Sequence, residues 1–89
     1  NIGGIIELLI KDLNKRLKEK ELNIELTDEA KNCIAEEGYD PVYGARPLKR
    51  YIQKSVETST ARLILSGEVD MGDTILIDVK EGEIRARKK

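Results

Sequence analysis

The residue best equipped for chemistry in this chain is Arg46, set in the run Tyr39-Asp-Pro-Val-Tyr-Gly-Ala-Arg-Pro47. Two prolines and a glycine punctuate that run, and it is the one place where the chain abandons its periodic pattern. Gly44 lets the backbone turn sharply, and Arg46 falls where a long helical pattern begins. A helix start offers unpaired N–H donors and a partial positive charge, and a guanidinium there adds a planar, permanently charged fork that suits phosphate oxygens. The residue types leave two readings open: Arg46 meets an anion, or it pairs with an acid such as Asp40 and fastens the loop. Neighbouring residues carry similar alternatives. Lys49 and Arg50, one turn on, either extend a positive field around an anion or are solvated helix residues or interface partners. Tyr39 and Tyr43 either stack on a ring of a bound ligand or pack the loop against the preceding helix. Cys33, on the inner stripe of that helix, reads as a small core residue rather than a reactive thiol.

These residues need a scaffold, and the periodicity supplies one. The start, residues 1–4, reads as frayed. Ile6, Leu9, Ile10, Leu13 and Leu17 recur at helical spacing between Ile5 and Lys20. Leu22, Ile24 and Leu26 alternate with polar residues as a short strand. Thr27 is a helix cap followed by Asp28 and Glu29 in the first turn. Ala30, Cys33 and Ile34 form that helix's inner face, and Gly38 is expected to close it in a left-handed conformation. Pro47 opens a third helix from Leu48 to about Ser66, roughly 30 Å long, with Leu48, Ile52, Val56 and Leu63 as its stripe and Gly67 as its end. Ile75, Ile77 and Val79 alternate again. Lys80-Glu-Gly-Glu83 turns the chain into a last strand carrying Ile84 and Ala86, with residues 87–89 frayed. The expectation is one α+β domain over residues 1–89: three helices packed on a small three-stranded sheet, in the order α-β-α-α-β-β with a C-terminal hairpin.

Composition narrows the function. The 39% apolar fraction is too high for a disordered tail, and the 37% charged fraction gives a heavily charged skin over a small core. Sixteen cations face 17 anions, so the chain lacks the basic excess that nucleic-acid binding draws on. No apolar run approaches the roughly 20 residues that span a bilayer, so neither nucleic acid nor membrane is an expected partner. A single cysteine allows no internal disulfide, and a cytoplasmic setting follows naturally. The absence of His removes a Ser–His–Asp relay and any His-ligated metal, and no Gly-rich loop ends in Lys-Ser or Lys-Thr. The chain is therefore not expected to be an enzyme alone, and holds no metal or catalytic set of its own.

The twelve residues Tyr39-Asp-Pro-Val-Tyr-Gly-Ala-Arg-Pro-Leu-Lys-Arg50 resemble the signature of the Clp/ClpB ATPases, in the small C-terminal subdomain of their second ATPase module. Leu26-Thr-Asp-Glu-Ala30 and Gly72-Asp-Thr-Ile75 match the same subdomain in order and spacing, so the resemblance runs from about Ile5 to Val79. The form Gly-Tyr-Asp-Pro-Val-Tyr is most similar to the ClpB-type AAA+ disaggregases. That resemblance implies that Arg46, with Gly44 and Ala45, is the sensor-2 element, reaching ATP or ADP with Mg²⁺ in a longer parent protein, with no nucleotide held by this part alone. It implies partners as well: the large subdomain of the same chain and of the adjacent subunit in a homohexamer, and unfolded or aggregated protein substrates. The alternative it leaves is a pure oligomerisation module of a protease-associated Clp unfoldase. The family's frequent Asn-Pro-Leu or Asp-Pro-Leu ahead of Ala61 is replaced here by Thr58-Ser-Thr60, which argues against a kink in the long helix and leaves the identity of the subdomain untouched.

Overall fold

A computed structural model of the chain describes residues 2–44 and 46–89, with Arg46 described through its backbone. Helix α1 spans Ile2–Leu17 and tightens into a 3₁₀ turn at Lys18–Lys20. It thus opens ahead of Ile5, where the apolar period starts. Strand β1 is Asn23–Leu26, and helix α2 is Asp28–Gly38. The expected third helix is one helical rod in three parts: α3 at Arg46–Ile52, a π segment at Gln53–Glu57, and α4 at Thr58–Leu65. Strands β2 (Thr74–Lys80) and β3 (Glu83–Lys88) complete the α-β-α-α-β-β order.

The sheet runs β1-β2-β3, with β1 parallel to β2 and β2 antiparallel to β3. A parallel pair needs a long crossover, and α2 with the helical rod provides it. The alternating residues of β2 put Ile75 and Ile77 at zero exposure against the helices. They join Ile6, Ile10, Leu13, Ile24, Ala30, Ile34, Leu48, Ile52, Val56 and Leu63 in one core. The helical stripes expected from the apolar spacing are therefore the buried faces, with Leu9 and Cys33 half-buried at the margin.

The π segment departs from the plain helix that the spacing predicts. Leu48, Ile52, Val56 and Thr60 are all buried at four-residue steps. In an α-helix each such step drifts by about 40° from the previous one, and a wider π turn absorbs that drift. Ser55 donates its hydroxyl to the Tyr51 carbonyl at 2.6 Å, a side-chain bond of the kind that loosens an α ladder. On that same buried stripe, Thr60 Oγ1 has no hydrogen-bond partner among the described residues.

Three polar contacts lock the layers. Asn14 of α1 donates from Nδ2 to the Ile24 carbonyl at 3.2 Å and accepts the Ile24 N–H at 2.7 Å, so one side chain satisfies both outward groups of a β1 residue. Thr27 caps α2 by accepting the Ala30 N–H at 3.1 Å, and it donates to Asp78 Oδ1 of β2 at 3.0 Å. Arg16 of α1 meets Glu57 of the π segment with two bonds of 3.3 Å.

Candidate functional site

The loop that leads into the helical rod is built by Asp40. Its Oδ1 accepts the N–H groups of Val42 at 2.7 Å and Tyr43 at 3.1 Å, the pattern by which a short acid makes a turn of its own backbone. Its backbone exchanges two bonds with Gly44, 2.9 Å and 2.6 Å long, closing the loop on itself. Gly44 sits at φ +66°, the left-handed region that a side chain would resist. The sharp turn expected at Gly44 is thus present. The loop is fastened by Asp40 acting on backbone N–H groups.

What holds the loop against the body of the domain is the last residue of α2. Gly38 does not close that helix in a left-handed conformation, as its position suggested. The cap residue is Tyr39, in extended backbone at φ −99°. Gly38 is required because Leu48 crosses it: a Cβ added there would lie 2.5 Å from Leu48 Cδ2 and 3.1 Å from Leu48 Cα. Gly38 and Leu48 are both buried, so the end of α2 and the first turn of α3 are in direct backbone-level contact. That contact sets where α3 begins, and Arg46 is its first residue. Ala45 and the Arg46 side chain lie outside the described residues, and with them the expected choice between an anion and Asp40 as the partner of Arg46.

The other singled-out residues are all placed. Lys49 and Arg50 are exposed and diverge. Lys49 lines a groove of about 310 Å³ between α1 and the rod, shared with Asp12, Arg16 and Glu57. Arg50 lines a hollow of about 240 Å³ with Glu37, Pro47, Tyr51 and Lys54. They do not converge on one anion. Tyr39 and Tyr43 are exposed, and the packing of both against α2 that their position allowed is not what the chain does. The tyrosine that packs there is Tyr51, whose hydroxyl lies 3.6 Å from Cys33 Sγ. Burial, with help from Cys33, pushes its phenol up to about 12. Cys33 is a half-buried packing residue, as its stripe predicted.

The basic C-terminal end is matched by acids. Arg85 meets Glu83 at 3.1 Å, Arg87 meets Asp78 at 3.4 Å, Lys88 meets Asp73 at 3.5 Å, and Lys89 meets Glu25 at 2.7 Å. Asp78 is held below its ordinary carboxyl range, first by the Val79 N–H on Oδ1, then by the Thr27 hydroxyl, with Arg87 adding to both. Sequence reasoning had not singled out Asn14, Asp78 or Glu57. Their signal lay in partners far along the chain, which spacing does not display. Among the described residues no helix is long and apolar enough to cross a membrane.

With this geometry in hand, similarity to known proteins is informative. The family described as the C-terminal, D2-small domain of ClpB protein matches residues 1–77. The chain is 49% identical over 88 residues to a chaperone protein ClpB of Clostridium perfringens, covering 99% of this chain and 10% of that protein. It is 56% identical over 82 residues to a ClpB of Aquifex aeolicus, covering 92% of this chain and 8% of that protein. It is also 52% identical over 83 residues to the negative regulator of genetic competence ClpC/MecB of Bacillus subtilis, covering 93% and 10%. The chain spans about a tenth of the length of these relatives.

Proposed function

This chain belongs to the ClpB-type Clp ATPases, as their C-terminal D2-small domain, and on that premise we propose that it is the nucleotide-sensing lever of an ATP-dependent protein disaggregase. In this reading Arg46 is the sensor-2 arginine. It reaches ATP or ADP bound with Mg²⁺ in the larger part of the parent, with Gly44 and Ala45 as the rest of the sensor-2 motif. The parent works as a cytoplasmic homohexamer on unfolded or aggregated proteins, and this domain packs on the large subdomain of its own chain and of the next subunit.

The single observation that carries the reading is the Gly38–Leu48 crossing. It fixes the first turn of α3, and with it the backbone of Arg46, to the domain's core. The backbone from which Arg46 extends therefore moves with the domain. A cation that meets the terminal phosphate stabilises ATP over ADP, and only such a difference can shift a conformational balance. A charged hydrogen bond supplies about 1.5–3 kcal/mol, enough for a population change of roughly tenfold to hundredfold. The sequence holds no phosphate loop, and in this reading turnover belongs to the parent.

Arg46→Ala in the full-length protein tests this. The expected result is impaired ATP turnover together with lost recovery of aggregated protein, while the hexamer persists. Unchanged turnover and recovery would remove Arg46 from the mechanism.

A second reading takes account of the 52% likeness to a protein named ClpC/MecB. In that reading the domain is an assembly module of a protease-associated Clp unfoldase. The β3 edge then carries subunit contacts, and Arg46→Ala leaves the nucleotide response intact.

A further inference from the structure

Asp40 shapes the run-in to α3 from a single side-chain oxygen. That Oδ1 accepts the N–H groups of both Val42 and Tyr43, while the Asp40 N–H and carbonyl are both paired with Gly44. Pro41 stands between, its φ set by its ring and with no N–H to satisfy. Pro41, Val42 and Tyr43 are all exposed and none joins the core, so the shape of this segment rests on its hydrogen bonds. Gly44, where the loop closes, stands two residues before Arg46, and Leu48, pinned against Gly38, stands two residues after it. The start of α3 is thus held from both sides. Helix ends fray, and one held from a single side is freer to do so.

We propose that Asp40 is a positioning residue for Arg46, and that it works as a hydrogen-bond acceptor clamping the loop rather than as a counter-ion to the guanidinium. This rests on the sensor reading of Arg46 given above. An oxygen shared by two backbone N–H groups has to offer lone pairs in the right place. An amide oxygen offers the same, so the clamp survives loss of the charge. A counter-ion's attraction does not survive it. An arginine that is in line for only part of the time contributes only in proportion to that fraction. The clamp therefore sets how much of the discrimination between ATP and ADP is realised. Asp40 does this through Arg46 and needs no contact with the nucleotide.

The test is the ratio of ATP to ADP affinity in the full-length protein, in Asp40→Ala, Asp40→Asn and Arg46→Ala, and in the double variant Asp40→Ala with Arg46→Ala. Losing the acceptor is expected to lower the ratio in Asp40→Ala by about threefold to tenfold, the range set by a single hydrogen bond. Asp40→Asn, which keeps the acceptor, holds the ratio within about twofold of the unaltered protein. On the Arg46→Ala background, Asp40→Ala changes the ratio no further, because the two residues act as one unit. A general loss of stability weakens both nucleotides together and does not give this pattern. If Asp40→Asn is as impaired as Asp40→Ala, the charge does the work and the proposal is overturned. It is overturned too if Asp40→Ala leaves the ratio unmoved, or moves it equally with and without Arg46. Arg46→Ala alone reports on the sensor reading. A ratio lowered by Arg46→Ala but not by Asp40→Ala keeps the sensor and removes the positioning role, whereas a ratio unmoved by Arg46→Ala removes both.

Discussion

Gly38 and Leu48 approach so closely that the place of a side chain on the first is taken by the backbone and side chain of the second. Gly38→Ala therefore sets two effects against each other. Alanine gains up to about 1 kcal/mol of helix propensity over glycine. Overpacking a filled core costs about 1–3 kcal/mol, and here one of the opposing atoms is a Cα that cannot rotate away. The expected outcome is net destabilisation of about 1–2 kcal/mol, a fall of several degrees in the melting transition of this domain. An unchanged or raised melting temperature would show that α3 slides easily past α2.

Asn14 holds both outward groups of Ile24, and its removal isolates them. Asn14→Ala is expected to cost about 1–3 kcal/mol and to speed exchange of the Ile24 amide selectively over that of Ile77 in the central strand. Hydrogen exchange read by NMR checks this. Equal change at both amides would mean global loss of stability, with no local role for the pair.

Two groups make stability depend on pH, one on the acid side and one on the alkaline side. Asp78 is depressed in the folded state from an ordinary 3.8 by the Val79 N–H, Thr27 and Arg87. Its contribution is present above that value and is lost as pH falls through the folded one. Tyr51 is raised from 10.0 to about 12, so its contribution is complete below pH 10 and is lost between about 10 and 12. Asp78→Asn should flatten the acid limb of a stability–pH curve, and Tyr51→Phe the alkaline limb. Ultraviolet titration should show a tyrosinate step near 12 that Tyr51→Phe removes. A curve unmoved at either end by its own substitution contradicts the assignment for that group.

The helices, the strands and the loop were legible because each rests on local chemistry: apolar residues at helical spacing in α1, alternation in β2, a threonine with two acids at the start of α2. Three features were not, and each depends on what a residue meets rather than on what stands next to it. Gly38 sits at the end of a helix, where glycine ordinarily supplies a left-handed turn, but the demand on it comes from Leu48 across the loop. The π segment leaves a faint trace, the strict four-residue recurrence of Leu48, Ile52, Val56 and Thr60, which an α-helix cannot keep on one face. The parallel pairing of β1 with β2 has no local signature, since alternation is the same in either direction. Of the candidate site, the sequence located the loop and the helix start. It offered Tyr39 and Tyr43 a packing role that Tyr51 fills instead, because only the fold shows which side of α3 lies against α2.

The central claim is that Arg46 distinguishes ATP from ADP in the parent protein, and equilibrium binding measures it directly. The ratio of ATP to ADP affinity should be compared among the full-length protein, Arg46→Ala and Arg46→Lys. Loss of a charged hydrogen bond to the terminal phosphate predicts that Arg46→Ala lowers that ratio by about tenfold to hundredfold, with Arg46→Lys recovering part of it through charge without the fork. A ratio that stays the same in all three proteins would contradict the account.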